Sequence, residues 1–104
     1  MDQRTARLLE DSNQVCIDFL LTDLKTIATL LNVADVAPDE GTCQRNRLQA
    51  RDGYRAVLRH LPRVRPSPEE RLEMKDRIAA IKSRLESAGL DLDARSDPYP
   101  KPEY

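Results

Sequence analysis

The chain holds no tryptophan, one histidine, two cysteines, three glycines and four aromatic residues among its 104 positions. Each shortage closes off a class of function. Gly41, Gly53 and Gly89 are too scattered to build a phosphate-cradling loop. Cys16 and Cys43 are too few and too far apart for a disulfide framework or a metal-ligand spacing. They read as reduced thiols, Cys16 at a core position and Cys43 near a helix start, neither in a setting that argues for a nucleophile. His60 has no Cys, Asp or Glu three or four residues away, so it reads as a surface histidine and not as a helical metal ligand. The carboxylates are interleaved with bases on solvent-facing helix positions. The sequence therefore predicts no catalytic residue, no metal site, no cofactor and no enzyme.

Long apolar runs are missing as well. Asp18, Asp23, Lys25 and Thr29 interrupt the most hydrophobic segment, well short of the ~20 unbroken apolar residues of a membrane span. The opening MDQRTARLLED lacks the basic stretch and apolar run of a secretory signal, which predicts a cytoplasmic protein with no membrane partner. With Phe19, Tyr54, Tyr99 and Tyr104 as the whole aromatic complement, the core has to be Leu, Ile, Val and Ala. Hydrophobic residues at 39% and charged residues at 34% suit one small domain that folds in water.

What is present is helical periodicity. A first helix is predicted from about Thr5 to Asn32, with Leu9, Cys16, Leu20, Leu24, Ile27 and Leu31 three or four residues apart on one side. Pro38 and Gly41 end it. A second helix, capped by Asp39 or Thr42, runs to about Leu61 with Cys43, Ala50, Tyr54, Val57 and Leu61 inward. Gly53 inside it costs about 1 kcal/mol relative to Ala, either tolerated or required by a close neighbour, and tolerance is the expectation. Ser67-Pro68-Glu69-Glu70 is a capping box with proline at the first helical position, so a third helix starts there. Leu72, Ile78, Ile81 and Leu85 are its expected inner face, and Gly89 its left-handed stop, with Leu90 folded back onto Leu85.

These elements predict an all-α fold, a three-helix up-down antiparallel bundle over residues 1–90 with a long first helix. Residues 91–104, DLDARSDPYPKPEY, are expected to form a proline-rich extended tail that can serve as a ligand for an aromatic groove.

Two surfaces look built for contact. Helix 1 is apolar over most of its circumference, with Asp18, Thr22, Lys25, Thr29 and Asn32 as its polar strip. Two neighbours cover only part of such a helix, so a homodimer is expected through Ile17, Leu20, Leu21, Leu24 and Ala28. The competing arrangement makes helix 1 the central element of a monomer. The second surface is a ridge on helix 2 with an arginine at every fourth position: Arg47, Arg51, Arg55, Arg59 and Arg63. Residues 43–65 hold seven Arg and one acid, Asp52, against a chain total of −1. Such a ridge suits an acidic protein partner, pairs with Glu10, Asp11, Asp18, Glu73 or Asp76, or tracks a nucleic-acid backbone. Nucleic acid is the weaker alternative, because the pI is about 5.8 and no aromatic side chain is interleaved for stacking. A helical protein–protein interaction and self-association module is the function these features predict.

Overall fold

A computed structural model of the chain describes residues 2–90 and 92, and among them it has three α-helices, one 3-10 turn and no strand. Helix α1 spans Gln3–Asp35, α2 Glu40–His60 and α3 Pro68–Ser87, with the 3-10 turn at Leu61–Arg63. No helix among the described residues is long and apolar enough to cross a membrane. Of the expected tail at 91–104 only Leu92 is among the described residues, and it and Leu90 lie half-buried against the core.

Each boundary has a local cause. Asp2, three residues earlier than the expected start, accepts from the backbone N–H of Arg4 and Thr5 and so satisfies two of the orphan donors of α1. The helix also runs past Asn32, because Ala34 still finds a buried position and only Pro38 makes continuation costly. At 33 residues α1 is ~50 Å long, against ~30 Å for either neighbour. Asp39 caps α2 through Thr42 N–H at 2.7 Å. At Ser67 the reciprocal bonds of the capping box are both formed: Glu70 N–H to the Ser67 hydroxyl, and Ser67 N–H to the Glu70 carboxylate. Gly89, at φ +79°, ends α3 in a Schellman motif, with Gly89 N–H donating to Glu86 O and Leu90 N–H to Leu85 O.

The core forms along one edge of α1. Ile17, Leu20, Leu24, Ile27, Leu31 and Ala34 alternate three and four residues apart, and all are buried. They meet Ala50, Tyr54 and Val57 from α2, Val64 from the linker, and Met74, Ile81 and Leu85 from α3. Gly53 faces Ile27 so closely that a Cβ built on it would lie 3.0 Å from Ile27 Cγ1. A Cβ there requires Ile27 to give by a few tenths of an ångström, so the glycine has a close neighbour. Asn13 clasps Arg65, its side chain both accepting from and donating to that residue's backbone at 2.7 and 3.0 Å. Gln14 donates to Glu70, and Asp35 pairs with Arg84 at 3.0 Å. Along α1, then, α2 is met in reverse chain order and α3 in forward order.

Three sequence expectations are corrected. Leu72 is 60% exposed, and Met74 occupies the inner face of α3 in its place. Six residues separate Leu72 from Ile78, a rotation of ~240° on a helix, so the two cannot share a face. Cys16 is exposed, one step of the helix away from buried Ile17, while Cys43 is the buried thiol. Leu9 is 47% exposed because residues 3–12 project beyond the Asn13–Arg65 clasp, past the reach of α2 and α3.

Candidate interaction surfaces

Ile17, Leu20 and Leu24, expected as a self-association face, are 0%, 5% and 1% exposed within a single chain, and Leu21 and Ala28 are half-buried beside them. That face is occupied by α2 and α3. The correction follows from register: the tightest three-four alternation on α1 belongs to the chain's own core.

The free side of α1 carries a second alternation of the same kind. Leu8, Val15, Phe19, Val33 and Val36 interleave with Thr5, Ser12, Thr22, Thr26 and Thr29 at steps of three and four, and all ten are exposed. Phe19 is 68% exposed and Val36 81%. None is charged, although at the chain's 34% charged composition about three of ten would be. The threonines contribute more apolar surface than their type suggests. Thr22, Thr26 and Thr29 each donate their hydroxyl to the carbonyl four residues back, at 2.9, 3.1 and 3.1 Å, so their hydrogen-bonding is met within the helix. This repeat has the 3.5-residue spacing of a coiled-coil seam, with half its positions apolar and half hydroxyl-bearing.

The arginine ridge does not lie on one face. A four-residue step advances 400° around the helix, so the row turns by ~40° at each arginine. It starts beside the seam with α1, where Arg47 shares a hollow with Leu31, Asp35 and Arg84, and ends exposed at Arg59 and Arg63. Arg47, Arg51 and Arg55 are half-buried. The Arg51 side chain is 11% exposed, reaches Asp52 at 3.5 Å, and has its Nε buried without a hydrogen-bond partner among the described residues. Five arginines at regular spacing thus give two fully presented ones.

The tertiary arrangement also assembles two places that spacing did not. A hollow of about 260 Å³ brings the exposed Cys16 and the exposed His60 to one lining, with Phe19 and Arg63. An open groove of about 570 Å³ lies between the end of α2 and α3, with Leu58, Met74 and Ile78 among its lining. Tyr54, which also lines it, has its phenol pushed above its ordinary value by burial first and by Glu86 second. Among the described residues no three His, Cys, Asp or Glu side chains gather as a metal site. No known protein family, curated protein or solved structure matches the chain.

Proposed function

We propose that this chain is a small helical interaction module that associates with a second copy of itself through the outward face of α1. The observation that carries the reading is the charge-free, exposed seam from Thr5 to Val33 of α1, continued by Val36 just past the end of the helix. Residues 3–12 extend α1 past its neighbours and leave Leu8 and Leu9 exposed in the isolated chain. A second copy laid antiparallel, its two-fold axis between Phe19 and Thr22, covers this stretch: Leu8 then meets Val33 of the second copy, and Thr5 meets Val36.

The flanking charges favour that direction. In a parallel pair Asp18 of one copy would sit beside Asp23 of the other, whereas the antiparallel pair sets Asp18 beside Lys25 and Leu9 beside Leu30. Because the axis is two-fold, each favourable contact occurs twice.

The test is the solution mass of the full chain by sedimentation, across a hundredfold range of concentration. A rise toward twice 11.9 kDa is expected, and Phe19→Glu should hold the chain at 11.9 kDa with its helical circular dichroism unchanged. A chain that stays monomeric at every concentration sinks the proposal.

A further inference from the structure

The groove between α2 and α3 is separate from the α1 seam, since no α1 residue lines it. Its floor is aliphatic: Leu58, Leu61, Val64, Met74 and Ile78. Leu58 remains 39% exposed there. One edge is cationic. Arg71, Lys75 and Lys82 follow one line of α3, within ~40° of each other, and no acid is among the residues that line the groove. All three are exposed. Arg71 and Lys75 have no ion-pair partner among the described residues, and Lys82 meets Glu86 only loosely at 3.9 Å.

We infer that this groove is a docking site for an acidic amphipathic helix of another protein. The volume of about 570 Å³ is in the range of ligand sites, so the shape alone does not choose between a small amphiphile and a peptide. The charge pattern does. A single carboxylate head can engage one cation, whereas three cations spread over residues 71–82, a rise of ~17 Å, complement carboxylates repeated over about three helical turns. A helix in a groove supplies that repeat alongside apolar anchors at i, i+3, i+4 and i+7, which would meet Leu58, Met74 and Ile78. The aliphatic floor supplies affinity and the cationic edge sets the preferred sign and direction of the partner.

The test uses the full chain and a fluorescein-labelled 14-residue peptide with leucines at i, i+3, i+4 and i+7 flanked by glutamates. Three controls accompany it: a scrambled isomer, a lysine-for-glutamate version and sodium dodecanoate. Anisotropy should report binding of the glutamate peptide that weakens with added salt. Amide shifts should fall at Leu58, Val64, Met74 and Ile78 and spare Val15 and Phe19. The double variant Arg71→Glu, Lys75→Glu should bind it at least about tenfold more weakly and gain affinity for the lysine peptide, a swap that misfolding cannot produce. Equal binding of the scrambled or lysine peptide overturns the inference, as does failure of the glutamate peptide to bind. Dodecanoate shifting the groove amides while the peptide does not would give the site to an acyl carboxylate. Groove shifts on diluting the chain alone would give it to a second copy. Either result displaces the acidic helix, and the α1 seam stands or falls separately on the solution mass.

Discussion

The two sides of α1 carry the same three-four alternation and meet opposite environments. On the inner side, Ile17, Leu20, Leu24, Ile27 and Leu31 are nearly sealed from water, while on the outer side Val15, Phe19 and Val33 remain 43% or more exposed. Periodicity alone does not separate them. What differs is side-chain type: leucine and isoleucine fill the inner face, whereas threonine, valine and serine make up most of the outer one, with Leu8 and Phe19 as its large members. A helix with two such faces can close its own fold with one and keep the other for contact.

The largest expected effect breaks the inner side. Leu24→Asp places a charge at a position 1% exposed and should cost about 3 kcal/mol or more, read as loss of helical signal or a collapsed urea midpoint. A native midpoint would mean the inner face is wrongly assigned. Gly53→Leu tests the same side from α2. Its side chain would enter the space held by Ile27, and a loss of about 1–3 kcal/mol is expected despite the better helix propensity of leucine. A gain in stability would show that Ile27 yields easily. Ser67→Ala removes one half of the capping box that opens α3 and should lower stability by about 1 kcal/mol, with the urea slope unchanged.

Two smaller effects sharpen the comparison. The carboxyls of Asp39 and Glu70 are held below their ordinary values of 3.8 and 4.5. For Asp39 the first cause is the Thr42 backbone N–H, and for Glu70 it is the Gln14 side chain, followed by the Ser67 N–H. A carboxyl with a lowered folded pKa gives stability that is complete above the unfolded value and is lost as pH falls through the folded one. The thermal midpoint should therefore drop between pH 5 and pH 2, less steeply in the non-titrating double variant Asp39→Asn, Glu70→Gln; identical slopes would remove these caps from the acid response. Least of all should Phe19→Glu matter to the fold. Its stability, measured in the monomeric range, should stay within about 0.5 kcal/mol, and a larger loss would mean the outer face is covered within one chain.

Local chemistry was well legible. Ser67 with Glu70, Gly89 with Leu90, and Asp39 all act as their residue types dictate, because a cap needs only neighbours within four residues. The candidate site was legible in pattern and misread in meaning. Thr22 and Thr29 count as polar by type, so they joined Asp18 and Lys25 in a polar strip and hid the seam that they share with Val15 and Phe19. Only the bonds of their hydroxyls to the helix's own carbonyls show how much of their surface is methyl. Leu72, flanked by Arg71 and Glu73, is expected inward on its apolar type alone, although its angle to Ile78 follows from the numbering. The arginine ridge was legible as a slowly rotating stripe, and only the packing shows that its first three members, Arg47, Arg51 and Arg55, are half-buried.

The sequence by itself determined an all-α chain, where its second and third helices begin and stop, and which three-four alternations exist, since these depend on backbone geometry and contacts within a turn or two. The tertiary structure decided which alternation on α1 is spent on the core, that Gly53 packs closely on Ile27, and that Cys16 faces outward. It also brought α2 and α3 together around an aliphatic groove with a cationic edge. Those outcomes depend on which surfaces meet across many residues of separation, and burial is a property of the pair that meets, not of either segment alone.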